Sequence, residues 1–179
     1  MATAPEVHLE DIFPLQDPSV LLMIGAPFSG KSEIAHQLSS MLSVALVSRE
    51  SLLYAIPEDE LVEGKSPAFT NVLWAIQDGR SVVYDATNCF QQNRRKDAKA
   101  FHGAGAKSVI GIQTASPLEL LQNRNRALGW KIPPSHVRNY YRQLQQNPVG
   151  VNDELDAYVI LETSQYVLTK TALAKTVER

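Results

Sequence analysis

The chain has 179 residues, of which 44% are hydrophobic and 20% are charged, and its formal net charge is −2. This length fits one domain with its own hydrophobic core, and no apolar run approaches the roughly 20 residues of a membrane span. Because the net charge is slightly negative, any binding of nucleic acid would depend on a local basic patch. The single cysteine excludes an internal disulfide and, with no basic-then-apolar leader, indicates a cytoplasmic protein.

The first elements predicted are an arm, a strand and a helix. Residues 1–19 contain three prolines and are predicted to form an extended arm on the edge of a domain that spans residues 20–165. Residues 20–24 form the short apolar run of a buried parallel strand, and residues 32–41 carry apolar side chains at helical spacing.

The segment between that strand and helix reads G-x-x-x-x-G-K-S, the Walker A phosphate loop. Its glycines let the backbone approach phosphate oxygens, and its amides can form an anion-binding nest at a helix N-terminus. Lys31 is predicted to reach the β- and γ-phosphates, and the Ser32 hydroxyl to ligate Mg²⁺. An ordinary strand-to-helix turn is the alternative. The residues predicted to hold the nucleotide here are Gly25, Ala26, Pro27, Phe28, Ser29, Gly30, Lys31 and Ser32.

The rest of the chain alternates between strands and helices. Predicted strands lie at 44–47, 81–84, 109–113 and 158–162, and predicted helices at 52–56, 66–78, 91–102, 118–127 and 135–145, with a tail or short helix at 166–179. This order predicts an α/β, three-layer P-loop NTPase fold with a mostly parallel sheet and helices on both faces. Ligands of such sheets bind beyond the carboxyl ends of the strands.

Two acidic residues follow strands at that edge. Asp85 ends the strand at 81–84, the position of a Walker B acid that holds Mg²⁺ through its water shell, although it could simply cap the next turn. Glu50 follows the second strand and is the best-placed carboxylate to orient an acceptor hydroxyl and take its proton. The alternative for Glu50 is a surface residue at a helix start.

A cationic segment is predicted to form a lid. Arg124 and Arg126 lie at a helix end, and Lys131 lies in the loop beyond it. Guanidinium groups there can each donate two hydrogen bonds to phosphoryl oxygens, so both arginines are predicted to be catalytic and Arg124 also to bind nucleotide. A solvated helix end is the alternative.

Two further charged stretches bear on the acceptor. Residues 94–99 place four cations on the helix after Asp85, which indicates a solvated face or a contact with a phosphate backbone. Residues 55–67 are acidic and are predicted to border the acceptor pocket, which disfavours a polyanionic acceptor.

Four segments together resemble the P-loop kinases of the polynucleotide kinase and zeta-toxin-like group, an AAA-type ATP-binding domain. They are G-A-P-F-S-G-K-S at 25–32, S-R-E-S at 48–51, V-V-Y-D-A-T-N at 82–88 and R-N-R-A-L-G-W-K-I-P at 124–133. The resemblance covers about residues 20–161. It implies an ATP- and Mg²⁺-dependent kinase that moves the γ-phosphoryl group to a hydroxyl acceptor, with a polynucleotide or nucleotide end ahead of small metabolites and no membrane partner. In this group's terms Glu50 takes the acceptor-activating position, and Arg124 with Arg126 supplies the lid.

The chain departs from the group's pattern at three positions. Glu50 stands where the group generally has aspartate, and Leu53 and Leu128 stand where some members have arginines. These departures motivate a second hypothesis, a nucleotide-binding switch or slow ATPase with little transfer activity.

Overall fold

The structure is a computed structural model, and its central feature is one parallel β-sheet. The structure describes residues 3–49 and 51–163, so Glu50 and the predicted tail at 166–179 lie outside the described residues. Five strands pair in the order β2-β3-β1-β4-β5, and each pairing is parallel. The strands are β1 (Ser19–Ile24), β2 (Ala45–Ser48), β3 (Val82–Asp85), β4 (Ser108–Ala115) and β5 (Ala157–Glu162).

Helices cover both faces of this sheet because the side chains of β1 alternate between two clusters. Leu21 and Met23 pack with the apolar residues of α1 (Lys31–Leu42) on one face. The alternate residues Val20, Leu22 and Ile24 pack on the other face, against α2 (Pro67–Gln77), α3 (Gln91–Gly103) and the end of α5 (Pro134–Gln146). The remaining helix, α4 (Leu118–Ala127), packs against α5. The predicted three-layer α/β fold is therefore confirmed.

The N-terminal residues run beside the edge strand β5. The amide of Val7 donates to the carbonyl of Tyr158 at 2.9 Å, and the amide of Tyr158 donates to the carbonyl of Pro5 at 3.0 Å. A 3₁₀ turn at Leu9–Ile12 then places Ile12 in the cluster on the α1 face. These contacts agree with an arm on the domain edge, and the division at residue 19 stays a prediction.

One predicted element is wrong. Residues 52–56 form no helix, because the backbone there is bonded to a side chain instead of to itself. The amides of Leu53 and Tyr54 both donate to Oδ1 of the buried Asn71, at 2.6 and 2.8 Å, and Asn71 donates back to the carbonyl of Tyr54. In the part of the chain that the structure describes, no helix combines the length and the apolar character that a membrane crossing needs.

Candidate functional site

The phosphate loop lies at the carboxyl end of the central strand β1 and leads into α1. Gly30 caps α1 with φ +87°, and Phe28 also has a positive φ of +70°. A left-handed conformation is unfavourable for a phenylalanine, so the loop holds Phe28 in a strained state of the kind that clusters at binding sites. The first amides of α1, including those of Lys31 and Ser32, have no acceptor within the helix and are suited to an anion.

Gly25 is required at its position by space. A Cβ there would lie 2.3 Å from Thr114 Oγ1 and 2.5 Å from Ser29 Oγ, two hydroxyls that are themselves hydrogen-bonded at 2.6 Å. The amide of Gly25 donates to the carbonyl of Thr87 at 2.9 Å, which joins the phosphate loop to the loop after β3. The start of the phosphate loop is thus fixed from both neighbouring strands.

Thr163, just after β5, also fixes the loop at Ser29. Its hydroxyl donates to the carbonyl of Ser29 at 2.8 Å, while its own carbonyl accepts from Arg124 Nη2 at 3.2 Å. Sequence reasoning missed the roles of Thr114 and Thr163. The signal available was their position, since each is a hydroxyl residue at the carboxyl end of a strand, Thr114 in β4 beside β1 and Thr163 just after β5.

Asp85 ends β3 and pairs in register with Ser48 at the end of β2. Its Oδ1 atom is buried and has no hydrogen-bond partner among the described residues. A carboxylate oxygen left in this state costs free energy, which a cation with its water shell would offset. The Asp85 carboxylate and the hydroxyl of the exposed Ser32 therefore supply oxygen atoms of the kind that bind Mg²⁺ or its water shell.

The two arginines of the predicted lid have different surroundings. Arg124 Nη1 donates to the carbonyl of Phe28 at 2.8 Å, so this guanidinium already lies on the phosphate loop. Arg126 is exposed, and its guanidinium carbon lies 5.4 Å from the ring centroid of Trp130. The structure brings Arg124 to the predicted nucleotide site and places Arg126 on the outer side of the lid segment.

Glu50 is the predicted base, and its placement lies outside the described residues. On either side of it, the amide of Ser51 donates to Ser48 Oγ at 3.0 Å and the amide of Ser48 donates to the carbonyl of Ser51 at 2.9 Å. The assignment of Glu50 stays a prediction.

Arg94 corrects the expectation for the basic stretch. Its side chain is fully buried, and Nε donates to Asp153 Oδ2 at 2.9 Å, so this residue is neither solvated nor open to a phosphate backbone. Its Nη1 donates to the carbonyls of Asn88 at 3.2 Å and Cys89 at 2.9 Å. Arg94 therefore supports the loop that follows Asp85.

Cys89 and Asn88 complete that support. The Asn88 side chain donates to the carbonyl of Met23 at 2.8 Å, which ties the loop to β1. Cys89 is buried, and burial raises the pKa of its thiol to about 12, against smaller opposing effects of Lys31 and Arg94. Such a thiol stays protonated near neutral pH, so Cys89 is a structural residue of this loop.

The comparisons with known proteins place this site in a family. The family described as AAA domain (AAA_33) matches residues 20–129, which is more than half of the chain and includes the phosphate loop, Asp85 and both lid arginines. The chain belongs to this AAA domain family. The narrower polynucleotide kinase and zeta-toxin-like group is not confirmed.

Solved structures similar to this AAA domain chain share its fold at low identity. A gluconokinase from Sinorhizobium meliloti is 14% identical with a TM-score of 0.56, over 90% of this chain and 88% of that one. The YorR protein of Bacillus subtilis, in complex with phosphorylated GDP, is 14% identical with a TM-score of 0.57, over 89% and 93%. Shikimate kinase from Acinetobacter baumannii, in complex with shikimate, is 15% identical with a TM-score of 0.51, over 93% and 98%. No curated protein matches the chain.

Proposed function

We propose that the protein is an ATP-dependent phosphotransferase that moves the γ-phosphoryl group of ATP to a hydroxyl group of an acceptor. The observation that carries this proposal is the contact of Arg124 with the Phe28 carbonyl of the Walker A loop, because it puts a cation beside the site where a triphosphate would end. Similar structures that are named as a gluconokinase and a shikimate kinase support a kinase.

Each site residue has a role in this proposal. Lys31 binds the β- and γ-phosphates, and Ser32 and Asp85 hold Mg²⁺, which neutralises phosphate charge when it is bound. Arg124 exchanges the neutral Phe28 carbonyl for a phosphoryl oxygen, since a charged acceptor makes the stronger hydrogen bond. Glu50 accepts the proton of the acceptor hydroxyl. The oxygen of that hydroxyl forms a bond to the γ-phosphorus, and the bond between the γ-phosphorus and ADP breaks.

A nucleic-acid end as acceptor, the first choice from the sequence, is not supported by the comparisons. The burial of Arg94 also removes one of the four cations that could contact a phosphate backbone from α3. We therefore place hydroxylated small molecules ahead of polynucleotides.

The direct test is transfer of radiolabelled γ-phosphate from ATP and Mg²⁺ to panels of polyols, nucleosides and 5′-hydroxyl oligonucleotides. Wild type should label an acceptor, while Lys31→Ala should lose activity and the matched surface change Lys99→Ala should not. Labelled inorganic phosphate without a labelled acceptor would support the slow ATPase instead.

A second variant tests the base. Glu50→Gln should bind ATP as wild type does and lower the transfer rate, because the amide cannot take the acceptor's proton. Unchanged turnover in Glu50→Gln would remove this residue from the mechanism.

A further inference from the structure

A polar pocket of about 230 Å³ opens beside the loop that follows β3. Its walls come from the residues before α2, from the end of β3 and from the first turns of α3. The polar residues that line it include Lys65, Ser66, Tyr84, Thr87, Asn93 and Asp97.

This pocket adjoins the phosphate loop. Tyr84 immediately precedes Asp85, and the carbonyl of Thr87 accepts the hydrogen bond from the Gly25 amide at 2.9 Å. Cys89, in the same loop, also lines the pocket. A molecule in the pocket would therefore lie beside the loop that holds the start of the phosphate loop.

The charged groups of the pocket form one neutral pair. The ammonium of Lys65 contacts Asp97 Oδ1, and the side chain of Asp97 is only 7% exposed. Lys65 is further held over the ring of Phe69, 4.4 Å from its centroid. Burial raises the pKa of Asp97, and Lys65 opposes that rise. The pair thus presents N–H donors and carboxylate acceptors side by side, the combination that neighbouring hydroxyl groups require because each hydroxyl both donates and accepts.

Size and charge narrow the occupant. The volume lies between the roughly 150 Å³ that holds benzene and the roughly 300–1,000 Å³ of drug-sized sites, so it fits a single ring or a chain of five or six carbons. The segment that precedes Lys65 carries four exposed acidic residues, Glu58, Asp59, Glu60 and Glu63, and their negative charge repels polyanions. Gly64, Lys65 and Ser66 of the predicted acidic segment line this pocket, and the prediction that the segment borders the acceptor stays a prediction.

We propose that this pocket is the acceptor site and that it binds a small polyhydroxylated molecule without phosphate, which the Lys65–Asp97 pair holds through its hydroxyl groups. The proposal rests on the proposed kinase function and names its substrate class. The pocket's volume and the acidic segment beside it disfavour a nucleic-acid end.

Steady-state kinetics with ribitol, myo-inositol, gluconate and a 5′-hydroxyl oligonucleotide test this assignment. With the best polyhydroxylated acceptor, Lys65→Gln and Asp97→Asn should each raise the acceptor KM at least tenfold and leave the KM for ATP within twofold. Lys65→Arg should restore much of the affinity, and the exposed Lys99→Gln on the same helix as Asp97 should change neither constant. Thermal unfolding of each variant separates binding from folding.

Unchanged acceptor KM in folded Lys65→Gln and Asp97→Asn would overturn the assignment, as would a lower KM for the oligonucleotide than for every polyhydroxylated compound.

Failure of the proposed function is distinguishable from failure of this assignment. If no acceptor is phosphorylated, calorimetric titration of the same compounds into the Lys31→Ala protein still tests the pocket. Binding that is weakened at least tenfold by adding Lys65→Gln would sustain the assignment, and no binding of any of the compounds would overturn it.

Discussion

Replacement of Arg94 by methionine would remove the cation from a fully buried ion pair and leave its partner in place. Neither Arg94 nor Asp153 has an exposed side chain, and the guanidinium also donates to three carbonyls, those of Asn88, Cys89 and Asn147. In Arg94→Met the Asp153 carboxylate would keep the Gly150 amide at 3.0 Å as a donor and lose its counter-charge.

The expected cost follows from that burial. Breaking a buried ion pair by removing one partner costs about 3–5 kcal/mol, a large part of the roughly 5–15 kcal/mol by which domains are stable. The next residue along the helix gives a matched control, since Arg95 and Glu154 form a pair whose side chains are 57% and 44% exposed. Arg95→Met should cost less than about 1 kcal/mol.

The pH dependence has a definite sign. Burial already raises the pKa of Asp153 above its usual value, and Arg94 opposes that rise. Without Arg94 the pKa rises further, so the folded state binds a proton that the unfolded state releases. The added cost of Arg94→Met should therefore grow as the pH rises from about 4, the usual Asp value, towards neutrality.

Urea unfolding of wild type, Arg94→Met, Arg95→Met and the double variant Arg94→Met/Asp153→Asn at about pH 4.5 and about pH 7.5 measures these effects. The double variant should recover at least about 1 kcal/mol at the higher pH, because it removes the unpaired charge. A cost below about 1 kcal/mol for Arg94→Met, or a cost that shrinks as pH rises, would refute this reasoning.

Three further predictions concern the nucleotide site. Gly25→Ala should abolish measurable nucleotide binding in calorimetry, because the added Cβ would lie within 2.5 Å of the Thr114 and Ser29 hydroxyls, and wild-type affinity would show that the loop has room. Arg124→Ala should lower kcat at least tenfold and change the KM for ATP little in transfer assays, and a loss confined to thermal stability would make Arg124 structural. Asp85→Asn should raise the Mg²⁺ concentration for half-maximal activity. Without Mg²⁺ it should stabilise the fold by about 1 kcal/mol in urea titrations, because the charged carboxylate that it removes has a buried oxygen with no hydrogen-bond partner among the described residues. An unaltered Mg²⁺ dependence would exclude Asp85 from the metal site.

The fold was predictable because local pattern and topology agree. The buried run in β1, the glycines of the loop and the helical spacing of α1 specify one βαβ start, and the later alternation specifies a parallel sheet. The helix predicted at 52–56 failed because the amide groups of Leu53 and Tyr54 bond to Asn71, which lies 17 or 18 residues later. Helical spacing within a segment contains no information about such a distant partner.

The candidate site was predictable at the loop and less so around it. The charged neighbours of Arg94 predict a surface or phosphate-binding cation. Its spacing to Ala98 and Phe101, four and seven residues later, in fact places it on the buried face of α3 with Asp97. Its partner Asp153 lies 59 residues away in the sequence, so only the folded structure shows that the two side chains pair.

The most direct test of the account is a calorimetric titration of a non-hydrolysable ATP analogue with Mg²⁺ into the wild-type protein and Lys31→Ala. We expect one saturable site in wild type and an affinity about 10- to 100-fold weaker in Lys31→Ala, because a hydrogen bond to a charged group contributes about 1.5–3 kcal/mol. No heat of binding in the wild type, or equal affinity in both proteins, would contradict it.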